Sequence, residues 1–495
     1  MDAPAAYEQL IAHTRKTATL GSAAAVLGWD QQTYLPPGGA GHRGKQLALL
    51  AELTHQWSTD ARIGDWLSAC EASALAADPA SDSAVTLFHL RRDYDLATKL
   101  PDSLVGEMAE AESTSYNAWK DARAKSDFAA FAPHLQNSLR LNRAMAECFA
   151  THPDPYDTLL DRYEIGATGD WVESVFTPLA ASISELLDVV KSEPVSMAQG
   201  TFPIEQQTAM CWEVVQAIGF DGERGRLDPT THPFCTGLGP DDTRLTTRYR
   251  DDELLDGISA ALHEMGHGLY DQGLRSDQYG LPLGNAVSLG IHESQSRMWE
   301  NQVGRSRGFC EWWLPILKRY FPDQLNGVIV ESLYRALNTA VPSYIRVDAD
   351  EVTYNLHIVL RFELERALIR GDLSVAELPG AWNERFEQLF GLKVDKDANG
   401  CLQDVHWTFA FGYFPTYTLG NLYAAQFYDA AGKELGDLEA QFAAGEFAPL
   451  LGWLRRNIHE QGCRHVPGEL CKQVTGADLD PNHLLTHLRS RYQRS

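Results

Sequence analysis

The chain has 495 residues, 44% hydrophobic and 22% charged. This composition is close to that of globular proteins and excludes a disordered or fibrous chain. Its 67 Asp and Glu residues outnumber 42 Lys and Arg, for a formal net charge of −25. Such a charge repels nucleic-acid backbones and anionic membrane surfaces. We therefore expect neither a nucleic-acid partner nor membrane association.

The N-terminus predicts no export. Asp2 is acidic, and no basic run precedes an apolar block, so residues 1–30 do not resemble a signal peptide. No run approaches the roughly 18 consecutive apolar residues of a membrane span. Eight scattered cysteines favour a reducing compartment, and the local group Cys463–Cys471 matches no zinc spacing. We expect a cytoplasmic protein.

A near match to a nucleotide-binding loop lies at residues 39–46, "GAGHRGKQ". The motif requires Ser or Thr after its lysine, to place a hydroxyl on magnesium, and Gln46 stands there. A Pro-rich turn precedes it instead of a strand. We therefore expect no nucleotide site.

Apolar residues recur at helical spacing in long segments, for example 82–100 and 435–462. No internal repeat of 20–50 residues and no long Gly/Ser/Pro linker interrupts the chain. This pattern predicts a mainly α fold in which residues 1–495 form a single large helical unit.

One region departs from helical spacing. Residues 200–207 and 231–252 contain turn residues and short alternating runs such as "TRLTTRY". They predict a small β-ribbon immediately before the next helix. Such a ribbon can form one wall of a cleft and pair with an extended peptide.

The stretch "HEMGH", residues 263–267, lies in the next predicted helix, which covers residues 253–270 and has an apolar stripe at steps of three and four. Because residues four apart share a helix face, His263 and His267 can reach one metal ion. Glu264 points about 100° around the helix and is free to contact a water. Alternatively, these are ordinary polar residues on a helix face.

Catalytic zinc has three protein ligands and one open position, so a third ligand is required. Glu293, in "GIHESQSRMWENQ", is the preferred candidate because a turn and a second helix fit the interval from His267. Glu300 is seven residues further on the same face. His292 is a weaker candidate, and Glu300 is weaker still.

Beyond these residues, the sequence resembles the thermostable carboxypeptidase Taq family of metallocarboxypeptidases. The resemblance covers nearly the whole chain through ordered motifs, which are "WDQQTYLPPGGAGHRGKQ" (29–46), "HPF" (232–234), "DTRLT" (242–246), "HEMGH", "HESQS" (292–296), "IRVDAD" (345–350), "GCLQDVHW" (400–407) and "IHEQGCRHVPGEL" (458–470). Departures are slight: Leu35 stands where methionine is common, and Gly44 where alanine is common.

The resemblance implies a mostly helical fold with a deep substrate groove, one zinc or cobalt ion per chain and a homodimer. It implies release of single residues from free peptide C-termini with broad preference. His263, His267 and Glu293 match the metal ligands, and Glu264 matches the catalytic glutamate that takes a proton from water.

An exopeptidase must recognise the terminal carboxylate, and a guanidinium suits this because its donors form a planar fork. Arg346 is the first candidate and Arg244 the second. Alternatively, each forms a salt bridge with acidic residues beside it in the sequence, at positions 348 and 350 or 241 and 242.

The developing oxyanion also needs hydrogen-bond donors. Tyr417, His406 and His232 are candidates that the resemblance places along the cleft, although each also suits a packed structural position. Gln403 and Asp404 are expected to orient neighbouring groups, for instance a metal-binding histidine.

Two other functions remain open. A zinc oligopeptidase that cleaves internal bonds of short peptides shares the same metal motif. The second is an inactive helical scaffold. The presence of Glu264 together with His263, His267 and Glu293 argues against it, because a protein without catalysis would not need Glu264.

Overall fold

The computed structural model describes residues 2–193, 195, 197 and 200–493. These residues form twenty α-helices and three β-strands, so the predicted mainly α fold is confirmed. The elements before the metal motif are α1 (Ala3–Thr33), α2 (Ala40–Ser58), α3 (Ala61–Glu71), α4 (Asp82–Lys99), α5 (Asp102–Lys125), α6 (Phe128–Phe149), α7 (Pro155–Leu160), α8 (Gly169–Val190), α9 (Ile204–Ile218), β1 (Gly225–Pro229), β2 (Cys235–Gly239) and β3 (Asp242–Thr247).

The rest of the chain is helical. Its elements are α10 (Leu255–Gly273), α11 (Leu289–Arg297), a π-helical turn (Met298–Val303), α12 (Arg307–Tyr320), α13 (Val330–Leu337), α14 (Tyr354–Arg370), α15 (Leu378–Phe390), α16 (Pro415–Leu435), α17 (Leu438–Ala443), α18 (Ala448–Asn457), α19 (Pro467–Thr475) and α20 (Asn482–Tyr492). Across the described ranges, none of these helices is long and apolar enough to cross a bilayer.

Of the two segments with helical spacing, the one at residues 82–100 forms one helix and the one at residues 435–462 does not. The first is the helix α4, whose first turn is capped by the Ser81 hydroxyl. The second is not continuous, because α16 ends at Leu435 and two short helices follow. Gly445, between α17 and α18, has a φ of 77°, a left-handed conformation that a helix interior does not allow.

The predicted ribbon is confirmed in part. Residues 231–252 contain β2 and β3, which pair antiparallel. β1 was not predicted; it pairs parallel with β3 and completes a three-stranded sheet of order β1-β3-β2. The prediction of a strand at residues 204–207 is wrong. These residues begin α9, in which buried side chains recur every three to four residues.

The main hydrophobic core surrounds α10, α11, α14 and α16. The predicted apolar stripe of α10 is confirmed, because Ile258, Leu262, Met265 and Leu269 are at most 4% exposed. α10 packs against β3 on one side and α11 on another, and α11 packs in turn against α16. The metal motif therefore lies on a helix that is held from several directions.

Candidate metal centre

His263 and His267 on α10 and Glu293 on α11 converge on one point. Nε2 of His263 is 3.6 Å from Oε2 of Glu293, and Nε2 of His267 is 3.5 Å from the same oxygen. Two ligand atoms, each about 2.0–2.1 Å from a tetrahedral zinc ion, are roughly 3.3–3.5 Å apart. The three predicted side chains therefore have the spacing and donor types of a metal-binding triad.

The electrostatics of this triad also fit a cation. Burial lowers the pKa of His263, but the charge of Glu293 and a hydrogen bond with Glu300 outweigh it and raise that pKa to about 9. The carboxylates thus favour positive charge at the imidazole, and the same field favours a divalent ion. Of the described residues, these three alone form a cluster of potential metal ligands.

Glu264 is 7% exposed. Burial, together with the negative charges of Glu293 and Glu300, raises the pKa of its carboxyl to about 7. No donor among the described residues forms a hydrogen bond with this carboxylate. It is therefore free to accept a proton from water.

Glu300, considered above as a weak ligand candidate, contacts the candidate ligand His263 instead. Its Oε2 atom accepts a hydrogen bond from Nδ1 of His263 over 2.8 Å. With Nδ1 bound to Glu300, Nε2 is the ring nitrogen of His263 that is left to face Glu293 and a metal ion. Arg297 contacts both acids, through Nε to Oε1 of Glu293 at 2.7 Å and through Nη1 to Oε2 of Glu300 at 3.2 Å.

We expect Glu300→Gln to weaken metal affinity by about 10- to 100-fold, the usual cost of losing a carboxylate behind a metal-binding histidine. The amide keeps the side-chain shape but removes the charge that pairs with Arg297 and Arg305, so the apo-protein should also unfold at a lower temperature, and affinities are compared where both proteins are folded. Competition with a zinc-binding dye measures the affinity. An unchanged affinity would show that His263 does not need this partner.

His292, the other ligand candidate, also contacts the triad from outside. Its ring stacks on that of His267, with centroids 4.5 Å apart, and its Nε2 lies 3.2 Å from Oδ1 of Asp271. His292 therefore packs against the ring of His267 and does not join the three side chains that converge on the candidate metal position.

Arg346 is 7% exposed and lies in a buried polar network. Its Nε donates to Asp404 over 2.9 Å and its Nη1 to the Tyr354 hydroxyl over 3.3 Å. Asp404 also accepts from Arg361, and Gln403 accepts from the Arg346 backbone amide. Gln403 and Asp404 therefore do orient a neighbour, but it is Arg346; the partner of a metal-site histidine is Glu300.

Tyr417 and His406 lie beside Arg346. The Tyr417 hydroxyl is 3.2 Å from Nε2 of His406, and the Arg346 guanidinium lies over the Tyr417 ring at 5.0 Å. Burial and the charge of Arg346 lower the pKa of His406 to about 3, so the ring is neutral at physiological pH. A neutral ring lets this pair present a hydrogen-bond donor without adding charge.

A short chain of contacts joins this group to the triad. The Arg297 guanidinium, bound to Glu293, lies 4.1 Å from the centre of the Tyr354 ring. The hydroxyl of Tyr354 accepts from Arg346. Sequence reasoning missed Arg297 and Tyr354, although the i,i+4 spacing of Glu293 and Arg297 on one helix was a usable signal.

Arg244 and His232 belong to the sheet region. Arg244 on β3 forms a two-point ion pair with Asp242 and lies over Trp29 of α1 at 4.2 Å. This is the salt bridge considered above as its alternative role. His232 is exposed in the connection between β1 and β2.

The chain is similar to known proteins over nearly its whole length. A family model described as Carboxypeptidase Taq (M32) metallopeptidase matches residues 9–492. The chain belongs to the carboxypeptidase Taq family. This confirms the resemblance inferred from the ordered motifs.

Relatives of the family agree over the full length. Thermostable carboxypeptidase 1 of Thermus thermophilus is 46% identical, with 99% of both chains covered. Carboxypeptidase 1 of Bacillus subtilis is 34% identical over 95% of this chain and 94% of its own. The crystal structure of the M32 carboxypeptidase from Deinococcus radiodurans superposes with a TM-score of 0.95 at 42% identity, covering 99% of each chain.

Membership of the carboxypeptidase Taq family makes the protein a metallocarboxypeptidase, that is, a metal-dependent peptide hydrolase that acts at C-termini. The family requires a divalent metal ion and peptide substrates. It disfavours the oligopeptidase alternative.

Proposed function

We propose that this metallocarboxypeptidase holds one Zn²⁺ per chain on His263, His267 and Glu293 and hydrolyses C-terminal peptide bonds of broad sequence. The observation that carries the proposal is the convergence of their three ligand atoms beside the free carboxylate of Glu264. Two imidazoles and a carboxylate suit Zn²⁺, and Co²⁺ accepts the same donors.

When bound, such an ion polarises the scissile carbonyl and makes water a better nucleophile. Glu264 accepts the proton of the attacking water at a carboxylate oxygen and delivers it to the departing amide nitrogen.

We assign Arg346 as the anchor of the substrate's terminal carboxylate. Asp404 and Tyr354 hold its Nε and Nη1, and no group among the described residues accepts a hydrogen bond from its Nη2. Arg346 ranks first because contacts through Tyr354 and Arg297 join it to Glu293; Arg244 ranks second, on β3 and paired at two points with Asp242. Tyr417 and His406 would line the cleft beside Arg346 and donate to the developing oxyanion, with exposed His232 at its outer edge.

Paired peptides test this assignment. We expect mass spectrometry to find stepwise loss of single residues from a free C-terminus, activated by added Zn²⁺ or Co²⁺ after chelation. The same peptide with an amidated C-terminus should resist cleavage, because it cannot pair with Arg346. Internal cleavage of the amidated peptide would instead support the oligopeptidase alternative.

We also propose that residues 1–495 act as one peptidase unit with a deep groove over the triad, and that the protein is a cytoplasmic homodimer. The family match across residues 9–492 supports the single unit, and eight free cysteines support a reducing compartment. Exposed apolar side chains on α1 and α2, such as Val26 and Leu49, support a second copy as partner. Light scattering should give twice the chain mass of 55.0 kDa; a monomer would contradict the dimer.

A further inference from the structure

α11, which carries Glu293, lies between α10 and α16, and a glycine faces it from each side. A Cβ atom at Gly266 of α10 would lie 2.5 Å from Cα of Ser296. A Cβ atom at Gly420 of α16 would lie 2.6 Å from Cγ and 2.7 Å from Cβ of Glu293. Since carbon atoms in contact are about 3.5–4.0 Å apart, both close approaches require glycine.

The two glycines contact different parts of α11. Gly266 faces the backbone at Ser296 and so sets the spacing of the two helices. Gly420 faces the root of the Glu293 side chain. The backbone fixes the position of the Glu293 Cβ atom. No change of the Glu293 rotamer can therefore move that atom away from a methyl group added at position 420.

A methyl group at position 420 would displace Glu293. Ordinary contact begins at 3.4 Å, so relief of the 2.7 Å approach to Cβ of Glu293 requires a shift of about 0.7 Å. The close contact at Gly266 prevents α11 from moving freely toward α10. Metal-ligand distances tolerate only about 0.2 Å, and Arg297 holds the other carboxylate oxygen at 2.7 Å.

We propose that Gly420 is a positioning residue of the metal site, whose missing side chain leaves the slot that places Oε2 of Glu293 opposite the two histidines. The proposal rests on the proposed role of Glu293 as a ligand. Gly420 touches neither substrate nor metal and acts only through Glu293.

Zinc affinity of the apo-protein, measured by competition with a zinc-binding dye, tests this role. We expect Gly420→Ala to weaken it about tenfold or more, with helical circular dichroism retained and the apo unfolding temperature lowered only as far as one overpacked methyl group requires. Gly432→Ala is the matched control on α16, because its new Cβ would be 3.8 Å from the nearest atom, in Leu438; it should bind zinc like wild type. Wild-type affinity in Gly420→Ala, or a loss of apo-protein helicity, would overturn the proposal.

A second background separates positioning from general packing. In Glu293→Ala, the same Gly420→Ala change should cause no further loss of zinc affinity, because the group it positions is gone. An equal further loss would overturn the proposal. If Glu293→Ala alone binds zinc like wild type, the ligand assignment fails, an outcome distinct from a silent Gly420→Ala.

Discussion

Glu264→Gln is expected to lower kcat by at least about 100-fold, and up to about 10⁴-fold, the usual contribution of a general base. The amide has the shape of the carboxylate but cannot accept the proton of water. Zinc content should stay at one ion per chain, because the proposed ligands His263, His267 and Glu293 are unchanged. Steady-state hydrolysis of a free C-terminal peptide, with metal analysis of the same sample, measures both.

The matched control is Asp256→Asn, which makes the same carboxylate-to-amide change on α10. Asp256 is partly exposed and pairs with Arg248 at the start of the helix, where an ion pair contributes little. We expect wild-type turnover from it. Normal turnover in Glu264→Gln would show that another group takes the proton.

Arg346→Lys is expected to lower kcat/KM for peptides with a free C-terminus by about 100-fold or more. Lysine keeps the charge that Asp404 needs but loses the planar fork. Each hydrogen bond to a charged group contributes about 1.5–3 kcal/mol, and about 1.4 kcal/mol corresponds to a factor of ten. Initial rates on free and amidated peptides measure the loss, which should be confined to the free form.

Arg244→Lys is the comparison variant. Because Asp242 occupies the fork of Arg244, we expect a much smaller loss of kcat/KM. The reverse ranking of the two variants would make Arg244 the carboxylate anchor. Unfolding temperatures of both proteins show whether either change damages the fold instead.

The triad could be predicted because it depends on local spacing. The apolar stripe identifies the buried face of α10, and four-residue spacing places His263 and His267 together. Glu293 followed from the need for a third ligand on the next helix. The structure gives α10 as Leu255–Gly273, within a few residues of the predicted 253–270.

The supporting contacts could not be predicted because they depend on packing between distant segments. Glu300 is seven residues after Glu293, on the same face of an ideal helix, but the π-helical turn Met298–Val303 changes the rotation per residue. Its carboxylate therefore meets the far side of His263. Arg346 and Asp404, like Glu293 and Gly420, meet only because of the tertiary fold.

Titration of the metal-free enzyme with Zn²⁺, following bound metal and C-terminal residue release together, tests the central claim most directly. We predict that both rise in parallel and saturate at one zinc per chain, and that Glu293→Ala binds zinc far more weakly. Full activity before zinc is added, or tight zinc binding that survives loss of Glu293, would contradict the account.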